Sequence, residues 1–227
     1  MSENHQPRLF DDPQEWNTPL QDKTYRAIRH IKVRTEQAAN HDNVHHPIQK
    51  IKQIHRVLAP LHQELGQQPL QILELFAGRG NLTREYERYG TVAAFDQKYL
   101  KTGDSFLVFH RLIAEKKKYQ VVDLDPYGFP NRMMPDIFQL MDDGVFFITM
   151  PNPNVNILNK ISAQHLECYY GYQNPTIEQI QERFRLNALC HWREAIHLET
   201  TNLGRLWRIA LRVRRVKATE YTGIKNH

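Results

Sequence analysis

The sequence has 227 residues, 41% of them hydrophobic and 24% charged, with a formal net charge of +5. This is enough chain for one medium domain with a real buried core, and the mild basic excess permits a nucleic-acid partner. Two cysteines, Cys168 and Cys190, are too few for a disulfide framework and point to a reducing, cytoplasmic setting; no apolar run reaches transmembrane length and the first residues lack a signal peptide's apolar core, so no membrane association is expected.

Residues 1–20 are polar, with Pro7, Pro13 and Pro19, and read as a loose arm. Lys23 to Glu36 reads as a helix made basic by Lys23, Arg26, Arg29, Lys32 and Arg34. A polar break with His41, His45 and His46 follows; it lacks a tetrahedral ligand spacing, and no metal is expected. Ile48, Ile51, Ile54, Leu58, Leu61 and Leu65 then recur every three or four residues, so an amphipathic helix is expected, ended by Gly66.

From residue 70 short apolar runs alternate with helical stretches. The expected strands are Leu70 to Phe76, Thr91 to Asp96, Tyr119 to Leu124 and Val145 to Met150. The expected helices are Leu82 to Tyr89, stopped by Gly90, then Phe106 to Lys117, Arg132 to Leu140, one from about Val155, and Thr176 to about Ala188. Ala195 to Thr201 and Leu206 to Arg214 form a hairpin through Asn202-Leu203-Gly204. Its second strand puts Trp207, Ile209, Leu211 and Val213 on one face and Arg208, Arg212 and Arg214 on the other. The fold class is therefore α/β: a Rossmann-like, mostly parallel sheet with an antiparallel C-terminal hairpin, plus N-terminal helices. The expected division is an arm and helices over 1–66, the sheet domain over 67–217 and a tail over 218–227.

The chemistry gathers at strand ends. Gln71 to Gly80 reads as strand, then the turn Gly78-Arg79-Gly80, then a helix, the first unit of a nucleotide-type sheet. Thr83 stands where a dinucleotide fingerprint has its third glycine, and Glu74 sets negative charge beside the loop, which is awkward for a pyrophosphate. Asp96 at the second strand end suits a ribose diol. The ligand favoured is a ribose-bearing molecule with a cationic part, such as S-adenosylmethionine.

Glu74-Leu-Phe-Ala-Gly-Arg-Gly80 resembles the first motif of the class I S-adenosylmethionine-dependent methyltransferases. The resemblance covers about residues 67 to 215. It implies that Glu74, Phe76, Gly78 and Gly80 hold the methionine end, Asp96 the ribose and Asp104 the adenine amino group. Asp104 has a competing role as cap of the following helix. Asp123-Leu-Asp-Pro-Tyr-Gly128 resembles the active-site motif of nucleobase amino-methyltransferases, most closely the tRNA guanine-N2 dimethyltransferases. Phe129 replaces that family's small polar residue, and no counterpart of its extra C-terminal domain is expected after the hairpin.

The resemblance implies an enzyme that methylates an exocyclic amine of a nucleobase in RNA or DNA. Asp125 and the Pro126 carbonyl would accept from the amine and Tyr127 would stack on the base. Asp123 reads as a supporting residue that orients Asp125 or caps the loop. Arg208, Arg212 and Arg214 read either as a solvated face or as phosphate contacts. Asn152 and Asn154 lie where the pocket rim is expected. The rival readings are a non-catalytic nucleic-acid-binding protein on the same scaffold and a nucleotide-dependent oxidoreductase.

Overall fold

The computed structural model describes residues 47–126, 129–152 and 163–216. The basic segment 23–36, the histidines at 41, 45 and 46, Tyr127 and Asn154 lie outside the described residues.

The elements are α1 (Pro47–Glu64), β1 (Leu70–Leu75), α2 (Thr83–Tyr86), β2 (Gly90–Phe95), α3 (Ser105–Ala114), β3 (Tyr119–Leu124), a 3-10 turn (Ile137–Leu140), β4 (Met141–Pro151), α4 (Ala163–Tyr170), α5 (Ile177–Leu189), β5 (Arg193–Asn202) and β6 (Leu206–Arg215). The six strands form one sheet in the order β2-β1-β3-β4-β6-β5. The first four are parallel, and β6 runs antiparallel to both β4 and β5. This is the Rossmann-like sheet with a terminal hairpin that the sequence pattern calls for.

The period-2 alternation divides the core between the two faces. Leu73, Leu75, Val122, Leu124, Phe146 and Ile148 point to the side covered by α3, α4 and α5. Leu70, Ile72, Val121, Val145, Phe147 and Ala210 point to the side covered by α1 and α2. From α1 the stripe Ile54, Leu58 and Leu61 enters that second core, whereas Ile48 is exposed, contrary to the expected periodic face.

Three expected helices come out shorter. The helix expected over 82–89 shrinks to the single turn of α2, because Gly90 does not stop a helix but begins β2: a Cβ there would lie 2.0 Å from the Leu70 carbonyl oxygen. The stretch 132–140 is turns and one 3-10 turn rather than a helix. The helix expected to Lys117 ends at Ala114. By contrast α5 matches the helix expected over 176–188, with Thr176 and Gln179 forming a reciprocal capping box.

Gly144 is the other close approach. It sits in β4 beside the register shift between Tyr119 and Val121, where a Cβ would fall 1.6 Å from the Gln120 carbonyl oxygen. Backbone must move to admit it. Gly144→Ala is expected to lower the unfolding free energy by about 3 kcal/mol or more, measured by urea denaturation; an unchanged midpoint would contradict the packing of β3 against β4.

Candidate functional site: a glycine loop above a buried charged layer

In this sheet the chain leaves β1 toward β2 on one side and returns to β3 on the other, so the crevice lies beyond the carboxyl ends of β1 and β3. Glu74 and Asp123 are direct cross-strand neighbours there. Asp96 follows β2, and Asp125 follows β3, its N–H donating to the Leu75 carbonyl at 3.4 Å.

The loop after β1 takes positive φ at Phe76 (63°), Gly78 (57°) and Gly80 (72°). Such angles suit glycine and strain phenylalanine. The Phe76 N–H is held by the Ser105 hydroxyl at 3.2 Å, and its ring meets the Phe106 ring at 5.5 Å. The Gly78 N–H donates to Asp96 Oδ2 at 3.1 Å and the Tyr99 N–H to Oδ1 at 2.6 Å. Those two bonds fix the Asp96 carboxylate, which has about four acceptor positions and so retains capacity for a ribose diol. Among the described residues, a Cβ built on Gly78 would meet nothing within 4 Å, so the loop backbone is open to a ligand. These residues fit an adenosyl ligand: an approachable backbone, a fixed acid at the second strand end and a pair of aromatic rings. Asp104 caps α3, its Oδ1 accepting from Phe106 N at 2.8 Å and Leu107 N at 3.2 Å.

Below the loop lies a layer of buried charge. Asp123 and Arg208 are both fully buried and pair twice, Nη1 to Oδ1 at 3.1 Å and Nη2 to Oδ2 at 2.7 Å. The Tyr86 hydroxyl donates to Asp123 Oδ2 at 2.6 Å, and Arg208 Nη1 donates to the Thr149 hydroxyl at 2.9 Å. Arg208 also lies over the Phe147 ring at 5.0 Å. Glu74, 2% exposed, accepts from the Thr83 hydroxyl at 2.6 Å. Burial, then the negative charge of Asp123, pushes the Glu74 carboxyl well above the usual range, with the Thr83 hydrogen bond and Arg208 opposing.

Asp125 is held the other way. Burial raises its carboxyl, but the charges of Lys50 and Arg208, with hydrogen bonds from Lys50 and Thr149, outweigh that and keep it below the usual range. Lys50 Nζ sits 2.6 Å from Asp125 Oδ2, and 21% of the Asp125 side chain reaches solvent against 3% of Lys50. Pro126 beside it is half-buried. Asn152 is buried at the end of β4, its N–H donating to the Arg205 carbonyl at 2.9 Å.

At Arg208 and Arg212 the arginine face of β6 is not solvated. Arg208 is 0% exposed. Arg212 is buried as well, donating to the carbonyls of Gly144 and Val213 and to Glu64 at the end of α1. Both are therefore unavailable as surface phosphate contacts, because β6 is an interior strand and α1 covers this face. Arg214 is exposed.

Sequence reasoning passed over Lys50, Tyr86 and Thr149, and it read Thr83 only as a missing glycine and not as a donor to Glu74. A signal existed for Lys50: it stands four residues before Ile54, in line with Leu58 and Leu61, so it is a lysine on the apolar stripe of α1. A charge there needs a buried partner. Among the described residues no group of three or more His, Cys, Asp or Glu gathers as a metal site, and no helix is long and apolar enough to cross a membrane.

No family model matches the sequence, and no curated protein matches it. Several solved structures are similar to it in part. One is Trm1 from Pyrococcus horikoshii in complex with S-adenosyl-L-methionine, at 12% identity and TM-score 0.44 over 65% of this chain and 51% of that one. Another is 1,6-didemethyltoxoflavin-N1-methyltransferase from Burkholderia thailandensis with S-adenosylhomocysteine, at 14% identity and TM-score 0.45 over 92% of this chain and 93% of that one. A third is a ribosomal protein L11 methylase from Lactobacillus delbrueckii subsp. bulgaricus, at 13% identity and TM-score 0.41 over 66% and 72%. The chain spans about half the length of the Pyrococcus protein.

Two outcomes follow from the buried layer. Arg208→Met leaves Asp123 buried without its cation and is expected to cost about 3–5 kcal/mol in urea unfolding, whereas Arg214→Ala on the surface should stay within about 0.5 kcal/mol. Glu74, with its folded value raised, favours the fold in acid and loses that contribution as pH rises through the folded value. Glu74→Gln should therefore gain stability relative to the parent as pH increases from about 5 to 9. Parallel urea midpoints across that range would show that Glu74 is not shifted.

Proposed function

We propose that this protein is an S-adenosylmethionine-dependent N-methyltransferase acting on an exocyclic amine of a nucleobase in RNA or DNA. The observation that carries this reading is Asp125: a carboxylate paired with Lys50 at 2.6 Å just beyond β3, across the strand-order switch from an open glycine loop. The Asp-Pro-Tyr order of residues 125–127 supports it from the sequence.

When bound, S-adenosylmethionine supplies a methyl group on a sulfonium, already activated for transfer. The chain's task is then to aim a weak nucleophile. An exocyclic amine has its lone pair delocalised into the ring. Asp125 and the Pro126 carbonyl would accept its two N–H bonds, turn the lone pair toward the methyl and stabilise the positive charge that grows on nitrogen. Tyr127 would offer its ring to a base taken out of its stack. The glycine loop, with Glu74 and Phe76 at its start, and Asp96 would hold the methionine and ribose ends; Asp104, which caps α3, would lie toward the adenine. The product amine sheds its extra proton to solvent.

Guanine N2, as in the tRNA enzymes that the motif resembles, is the form of the reading in which Asp-Leu-Asp-Pro-Tyr-Gly carries most weight. Polymer docking falls to Arg214 and to the basic segment 23–36 rather than to Arg208 or Arg212.

The test is mass spectrometry of nucleosides from RNA and DNA incubated with protein and cofactor. A methylated exocyclic amine is expected. Asp125→Ala should reduce its formation by on the order of 100-fold or more while the thermal shift produced by S-adenosylhomocysteine stays near the parent value. A parent protein that binds the cofactor yet methylates neither polymer would make it a binding protein on this scaffold.

A further inference from the structure

α1 precedes the sheet and, as a cover for one face, needs only apolar residues on its buried side. Ile54, Leu58 and Leu61 do that work. Lys50 and Gln53 share that side at 2% and 0% exposure. Gln53 has a local reason, donating to the Arg208 backbone carbonyl at 3.2 Å. Lys50 reaches further along the strand ends, to Asp125, 75 positions away in the chain. Taking an ammonium out of water is unfavourable unless a partner is held for it, and an apolar side chain of similar size would cover the sheet without that cost.

The groups facing Asp125 come from every neighbouring element. Glu74 lies on β1, Asp123 on its own strand, Thr149 on β4, Arg208 on β6 and Lys50 on α1. Tyr86 of α2 donates to Asp123. Arg208 is committed to Asp123 through both of its terminal nitrogens. Lys50 is the cation in hydrogen-bond contact with Asp125 itself.

We propose that Lys50 is a positioning residue for the Asp125 carboxylate: α1 delivers its ammonium to Oδ2 and locks the carboxyl in place, so that a substrate amine meets a preset acceptor. This rests on the reading of Asp125 as the amine acceptor. It makes α1 part of the reacting unit rather than an N-terminal appendage. The ion pair also answers how a largely buried carboxylate just beyond β3 stays available as an anion. Without the ammonium, burial would push it toward the neutral form, which accepts less well and donates instead.

The experiment uses the full chain with Lys50→Met, Lys50→Arg, Asp125→Asn and the Lys50→Met/Asp125→Asn double variant. The first measurement needs no activity. A carbon-13 titration follows the Asp125 carboxyl, assigned by its loss in Asp125→Asn. In Lys50→Met the carboxyl should titrate at higher pH than in the parent, and Lys50→Arg should restore it. A titration that does not move overturns the proposal. Should Lys50→Met fail to fold, Lys50→Gln makes the same comparison. The second measurement is a melting-temperature cycle. Lys50→Met should lower the Tm in the parent and much less in Asp125→Asn; equal losses in both would mean that Lys50 acts without Asp125 and would overturn the proposal. The third is turnover: kcat should fall on the order of 10–100-fold in Lys50→Met with KM for the polymer little changed, and Lys50→Arg should recover part of it. Turnover equal to the parent's overturns the positioning role. A parent protein that methylates no polymer, with the first two measurements as expected, refutes the amine-acceptor reading and leaves the Lys50–Asp125 coupling standing.

Discussion

The Asp123–Arg208 pair is the interaction on which the rest of the site depends. It joins the end of β3 to β6, with both side chains at 0% exposure, and it recruits Tyr86 from α2 and Thr149 from β4. A buried ion pair of this kind gives little net stability against an apolar pair of the same volume, but removing one partner is costly because the other charge is stranded. Its effect here is one of placement. The two strands that it ties, β3 and β6, flank β4, so the strand ends beneath the crevice are held in one register.

Charge balance around this pair sets two carboxyl groups apart. Three acids, Glu74, Asp123 and Asp125, share the layer with two cations, Lys50 and Arg208. One acid is therefore uncompensated. Glu74, deepest beside Asp123 and met by a hydroxyl rather than a cation, is pushed up. Asp125, partly solvated and met by Lys50, is pushed down. The surroundings thus drive two neighbouring carboxyls in opposite directions, one toward the neutral form and one toward the anion.

The upper layer is built on a different footing. Around the glycine loop the donors are backbone N–H groups, from Gly78 and Tyr99 onto Asp96 and from Phe106 and Leu107 onto Asp104. These carboxylates hold loops in shape and keep further acceptor positions, so the same residues shape the loop and remain suited to a ligand. Phe76, left-handed where glycine would be at ease, is kept there by Ser105, whose hydroxyl in turn donates to the Phe95 carbonyl at 3.3 Å.

The sequence by itself determined the sheet, the hairpin and the acids at the strand ends. Apolar alternation and the glycines Gly78 and Gly80 are local features, read within a few residues of where they act. It also separated the two faces of β6 correctly. What covers each face is a property of distant chain, and there tertiary structure decided: α1 lies over Arg208 and Arg212, turning an apparent surface stripe into a buried ion pair and a helix anchor. The length of α2 was likewise decided by packing, since Gly90 is needed against Leu70 and cannot also end a helix. Lys50 shows the division most plainly. Its place on an apolar stripe was legible, but its partner stands 75 residues on, and only the fold brings the two charges together.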